Sequence, residues 1–104
     1  MPISFKVLFR YFHCLWIHTH PEEPVVLVSE VDIEWFECRK VEIWRSGRIG
    51  WADKNGSSEG TELNLYSLLS LDDINSDPEF LAVEIAKEDF EIHWALAHSK
   101  KEKS

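Results

Sequence analysis

Two histidines one residue apart, His18 and His20, are the first side chains in this sequence whose spacing could support chemistry. At a strand end, histidines at i and i+2 can bind a metal ion from one side, and the carboxylates of Glu22 and Glu23 could complete the ligand set. No second ligand cluster follows at a zinc-like spacing, so loop histidines bonded to the backbone are the simpler interpretation. We therefore predict no bound metal or cofactor. The alternative function is a metal- or small-ligand-binding domain that uses His18 and His20.

Patterns for acid–base or nucleophilic catalysis are absent from the sequence. Acidic residues are abundant, but no pair stands out as one held in a cleft. Ser57, Ser58 and Thr61 lie close together in a predicted loop, but no histidine is nearby in sequence. His13 and Cys14 are neighbours on a predicted strand, where adjacent side chains point to opposite faces. We therefore expect that the chain is not an enzyme.

The charge distribution favours a basic partner. The net charge is −8, and residues 22–37 hold six acidic residues and no Lys or Arg. Nucleic acid and anionic membranes are disfavoured because both bind positive charge. A surface that only maintains solubility is the alternative explanation. We interpret four acids as the rim of a partner-binding surface with one of two tryptophans as its anchor: Glu22, Glu23, Asp32, Glu34, and Trp35 or Trp44.

Residues 39–53 predict a tight β-hairpin around Ser46-Gly47. A three-residue loop with Gly47 left-handed pairs Trp44 with Arg48 and places Arg39 opposite Asp53, where an ion pair could form. In this register Val41, Ile43, Ile49 and Trp51 share one face and Glu42, Trp44, Arg48 and Gly50 the other. Two outcomes stay open: Trp44 faces solvent as an anchor, or helices cover Trp44 and Trp51 lies outside.

The remaining patterns predict a single α+β domain over residues 1–98 and a flexible polar tail over 99–104. We expect a curled antiparallel sheet of about four strands, with a C-terminal helix and a short helix packed on one face. Ser70 resembles the N-cap of the short helix and Asp77-Pro78 a further helix start. The other predicted elements are strands at 5–18, 25–31, 35–44 and 48–52, a brief edge strand at 82–86, and a last helix with an apolar stripe of Phe90, Trp94 and Ala97.

The cellular compartment is predicted from the N-terminus and the cysteines. The apolar residues 5–17 are interrupted by Lys6, Arg10 and His13, which fits neither a signal peptide nor a membrane span. Cys14 and Cys38 form no C-x-x-C motif and are expected to be reduced. We expect a cytoplasmic protein.

Several stretches resemble a family of small bacterial proteins known only as a domain of unknown function. They are residues 16–18, 24–30, 35–53, 60–61, 77–80 and 88–90, with Trp94. Small acidic proteins of this kind are similar to the immunity proteins of polymorphic toxin systems, which bind and block one cognate toxin domain, often a basic nuclease. The resemblance implies such a basic toxin domain as the partner. We expect a monomer or a weak homodimer; an accessory subunit that dimerises through its edge strands is a further possibility.

Overall fold

The computed structural model describes residues 8–99, which form one α+β domain. Its sheet is antiparallel with the strand order β5-β4-β3-β2-β1-β6. The elements in chain order are β1 (Arg10–Trp16), β2 (Val26–Val31), β3 (Glu37–Ile43), β4 (Ile49–Asp53), β5 (Gly56–Ser57), α1 (Leu71–Asn75), β6 (Phe80–Ile85) and α2 (Lys87–Ser99).

The sheet is larger than the four strands predicted. The brief edge strand predicted near residue 82 is β6, which pairs with β1 along its length from Phe80 to Ile85. The polar loop after β4 adds the two-residue strand β5. The first strand is shorter than predicted within the described residues, whereas positions 5–7 of that prediction and 100–104 of the predicted tail lie outside them.

The hairpin between β3 and β4 has the predicted register. Trp44 N donates to Arg48 O at 2.9 Å, and Gly47 N donates to Trp44 O at 2.9 Å. Gly47 has φ +96°, the left-handed conformation that the three-residue loop requires. Arg39 lies opposite Asp53 as predicted. The ion pair suggested for these two residues is wrong, because the Arg39 guanidinium turns to Glu30 and Glu91 instead.

The two helices lie on opposite faces of the sheet, and the prediction that both pack on one face is wrong. Helix α2 covers the first face, where Phe90 and Ala97 pack against Tyr11, Val28 and Val41. This confirms the apolar stripe predicted for the last helix. Ile43, Ile49 and Trp51, which were predicted to share one face of the hairpin, pack against the same core.

Helix α1 lies on the second face, beside β6. Ser70 caps it as predicted, since its Oγ accepts a hydrogen bond from Asp73 N at 3.2 Å. Its Ile74 lines a cleft together with Cys14 and Leu27, whose side chains alternate along their strands with those on the first face. The helix start predicted at Asp77-Pro78 is wrong, because this dipeptide forms the turn that leads into β6.

A side chain from α1 covers the edge of β6. The amide of Asn75 donates from Nδ2 to Ala82 O at 2.9 Å and accepts at Oδ1 from Ala82 N at 2.7 Å. Asn75 thus makes the two hydrogen bonds that a neighbouring strand would make at this position. Asp77 O accepts a further bond from Phe80 N at 3.0 Å. Half of this edge is therefore unavailable for pairing with another chain.

Candidate partner-binding surface

The residues predicted to bind a partner lie at two opposite ends of the sheet. Glu22 and Glu23 are exposed in the loop between β1 and β2, close to Trp44. Asp32, Glu34 and Trp35 lie in the turn between β2 and β3. The six residues of β2 separate the two groups by roughly 20 Å, at about 3.3 Å per residue. The predicted rim therefore does not form one surface.

Trp44 is buried, with only 7% of its surface exposed. Its Nε1 donates to Glu22 O at 3.1 Å, and the guanidinium carbon of Arg48 lies 3.8 Å from the ring centroid. Trp51 is covered on the other face by Trp94 and His98, at 5.8 and 4.4 Å between ring centroids. The expectation that one of these tryptophans faces solvent is wrong. Arg48 and the β1–β2 loop cover Trp44 on one face of the hairpin, and helix α2 covers Trp51 on the other. Trp44 holds the β1–β2 loop in place.

The turn containing Asp32 and Trp35 is built largely for structure. Asp32 Oδ1 accepts from Glu34 N at 2.8 Å and from Phe36 N at 3.1 Å. Trp35 has φ +69° and stacks on Phe12 with 5.2 Å between ring centroids. Its carbonyl oxygen accepts from Leu68 N at 2.7 Å. Of the three residues predicted here to bind a partner (Asp32, Glu34 and Trp35), only Glu34 is exposed.

Both ring nitrogens of His18 are engaged in hydrogen bonds. Nδ1 accepts from His20 N at 2.9 Å, and therefore Nε2 carries the proton that is shared with Pro24 O at 2.8 Å. A metal ion could bind His18 only after one of these bonds breaks. No group of three or more His, Cys, Asp or Glu side chains is arranged to hold a metal ion within residues 8–99. These contacts favour a structural role for the His18 loop.

A charged network lies buried on the second face. Lys40 Nζ lies 3.2 Å from Glu37 Oε1 and 3.7 Å from Glu42 Oε2, and it donates to Glu62 O at 2.9 Å. Glu37 also accepts from Ser29 Oγ at 2.9 Å. The ammonium group of Lys40 thus lies beside two buried carboxylates.

The surroundings of Glu42 shift its pKa. Burial raises the pKa of Glu42, and the nearby Lys40 opposes the rise. The Thr61 hydroxyl lies close enough to Glu42 to favour the ionised carboxylate, but the geometry falls short of a hydrogen bond. Its buried Oγ1 has no hydrogen-bond partner among residues 8–99. Gly50 makes room for it, since a Cβ at this position would collide with Thr61 Oγ1.

Residues 58–79, which we call the acidic segment, cross the second face of the sheet. Hydrogen bonds fix the segment at intervals: Ser58 N donates to Trp51 O at 2.9 Å and Asn64 N to Glu37 Oε1 at 2.9 Å. The segment contains no Lys, Arg or His, and its six acids are Glu59, Glu62, Asp72, Asp73, Asp77 and Glu79. All six are exposed.

The acidic segment also exposes large apolar side chains. Leu65 is 84% exposed and Tyr66 81% exposed, and Leu69 is exposed nearby. Apolar and aromatic side chains in a charged surround are typical of protein-binding surfaces. Sequence reasoning missed these three residues. The available signal was the run from position 55 to 86 without a single basic residue, which contains the apolar cluster at 63–69.

A cleft of about 480 Å³ lies between the acidic segment and the sheet. The sheet contributes Leu27 and Phe80 to its wall, and the segment contributes Leu68 and Ile74. Its acidic lining residues are Glu37, Asp73 and Asp77, and no basic residue among positions 8–99 lines it. The cleft therefore combines an apolar interior with negative charge.

Comparison with known proteins identifies a family but no function. Residues 10–99 match the family model described as Domain of unknown function (DUF6881). No curated protein and no solved structure matches the chain. The resemblance to an uncharacterised domain family is thus confirmed, whereas the resemblance to immunity proteins remains a prediction. Neither helix in residues 8–99 is long and apolar enough to span a membrane.

Proposed function

We propose that this chain, which belongs to the DUF6881 family, is an immunity-type protein-binding module that neutralises a cognate basic toxin domain by occlusion. The observation that carries the proposal is the acidic segment, with Leu65 and Tyr66 almost fully exposed among acids and no cation. An exposed tyrosine can anchor an interface at low entropic cost, because it has few rotatable bonds. The surrounding acids would attract and orient a basic partner, a nuclease domain for example.

The rest of the fold supports a surface that binds a partner rather than one that catalyses a reaction. Hydrogen bonds spaced along the acidic segment attach it to the sheet and to the β2–β3 turn, so the partner would meet a preorganised surface. The covered edge at Ala82 favours a monomer, since it limits pairing between copies. We also propose a cytoplasmic site of action, where the free Cys14 and Cys38 would stay reduced.

Titration calorimetry with the product of the gene adjacent to this one would test the proposal. We expect Tyr66→Ala to weaken binding by about 2 kcal/mol, or roughly thirtyfold. Because exposed charges are screened by salt, affinity should also fall on the order of tenfold when the ionic strength is raised well above physiological.

Ile33→Ala is the matched control, since Ile33 is 80% exposed but lies in the β2–β3 turn. It should bind like the wild type. A loss of binding in Ile33→Ala and none in Tyr66→Ala would move the site to the Asp32–Trp35 turn. Equal binding of polylysine and the candidate partner would reduce the interaction to nonspecific charge attraction and contradict the proposal.

A further inference from the structure

The cleft beneath the acidic segment has the size and lining of a small-molecule site. Its volume of about 480 Å³ falls within the range of about 300 to 1,000 Å³ that ligand pockets occupy. Leu27 and Phe80 form one wall and Leu68 and Ile74 the opposite wall. Such a lining would bury an alkyl or aromatic body of a ligand.

The charge in the cleft is only partly compensated. The Glu37 carboxylate has partners within the protein, because it contacts Lys40 Nζ and accepts hydrogen bonds from Ser29 Oγ and Asn64 N. Asp73 and Asp77 have no salt bridge within residues 8–99. Asp77 Oδ1 accepts from Glu79 N at 2.9 Å and is fixed in place. Two carboxylates without a countercharge therefore line the cleft.

We propose that this cleft binds a small amphipathic cation, an organic amine or guanidine whose apolar body lies between the leucines and whose charged group is held by Asp73 and Asp77. An anion would meet only negative charge, and a purely apolar molecule would leave the two carboxylates uncompensated. The proposal concerns a free small molecule and is independent of the protein partner. A lysine or arginine side chain of that partner carries the same chemistry, and the experiment must distinguish the two.

Three probes with one apolar body test the charge preference: phenylbutylamine, phenylbutanol and phenylbutyrate. Calorimetric titration should show the amine binding about tenfold more tightly than the alcohol, as expected for a hydrogen bond to a charged group, and the carboxylate binding least. Asp73→Asn should weaken binding of the amine severalfold, and Asp73→Asn combined with Asp77→Asn should reduce its affinity to that of the alcohol. Asp72→Asn is the control, because Asp72 is exposed on the same helix but does not line the cleft.

Cys14 lines the cleft and reports on its occupancy. In a Cys38→Ser background, phenylbutylamine should slow the alkylation of Cys14 by iodoacetamide severalfold, and phenylbutyrate should not. Equal binding of the three probes, or no binding at all, would overturn the proposal. So would equal losses in Asp72→Asn and Asp73→Asn. If the basic partner protein slows the alkylation of Cys14 but the free amine does not, the proposal would be overturned. The cleft would then hold a lysine or arginine side chain of the partner.

Discussion

Arg39 in strand β3 binds Glu91 in helix α2, with the guanidinium Nη2 2.6 Å from the carboxylate Oε2. The same guanidinium holds Glu30 at 2.8 Å and lies 4.7 and 5.0 Å from the ring centroids of Phe90 and Trp94. Its hydrogen bonds to the two carboxylates raise the pKa of Arg39 in spite of its partial burial. One side chain thus joins the helix to the first face of the sheet by charge and by stacking.

Loss of this cation should destabilise the fold. Arg39→Met leaves the nearly buried Glu30 without its charged partner, and we expect the free energy of unfolding to fall by about 3 kcal/mol. Arg10→Met is the control, because the Arg10–Glu84 pair is exposed and should contribute less than about 1 kcal/mol. Urea denaturation of both variants gives the comparison. Similar losses of unfolding free energy in the two variants would contradict the conclusion that Arg39 stabilises the fold more than an exposed ion pair does.

Tyr11 should make stability depend on pH in the alkaline range. Burial, together with its hydrogen bond to Glu30, raises the pKa of Tyr11 from 10.0 to about 12. The folded protein therefore holds the phenol proton more tightly than the unfolded chain does. This contribution to stability is complete below pH 10.0 and is lost as the pH rises towards about 12.

Tyr11→Phe provides the measurement. Below pH 10.0 the variant should be about 1 kcal/mol less stable than the wild type, because the hydrogen bond to Glu30 is lost. As the pH rises from 10.0 towards about 12, the wild type should lose stability relative to the variant, so that the difference shrinks and then reverses, because the raised pKa of Tyr11 outweighs the single hydrogen bond. A difference that stays constant over this interval would show that Tyr11 titrates alike in the folded and unfolded chains.

Gly50 should tolerate no side chain unless Thr61 changes as well. A Cβ at Gly50 would collide with Thr61 Oγ1 and lie 3.2 Å from Trp44 Cζ3. We expect Gly50→Ala to cost about 1 to 3 kcal/mol, the usual range for an overpacked core. Adding Thr61→Gly removes the hydroxyl and should recover part of that loss. A double variant no more stable than Gly50→Ala would locate the strain elsewhere.

The hairpin was predictable because its determinants are local. Ser46-Gly47 restricts the turn, and the alternation of Val41 and Ile43 with Glu42 then selects one register. The burial of Trp44 was not predictable in this way. It depends on a loop more than twenty positions upstream and on Arg48, and neither contact leaves a periodic signal in the sequence.

The candidate site illustrates the same limit. The acids at Glu23 and Glu34 are close in sequence, but the intervening strand β2 places them at opposite ends of the sheet. Conversely, the cleft joins Cys14 and Leu27 to Ile74, which are distant in sequence. Charge composition could have pointed to the run at 55–86, which contains no basic residue, whereas the exposure of Leu65 and Tyr66 required the path of the acidic segment across the sheet.

The most direct test of the proposed function is the activity of the cognate toxin domain, titrated with this chain. We predict complete loss of toxin activity at one equivalent of wild-type chain, and at least a tenfold excess of Tyr66→Ala for the same effect. Ile33→Ala should inhibit like the wild type. Full toxin activity in the presence of excess wild-type chain, or inhibition by Tyr66→Ala at one equivalent, would contradict the account.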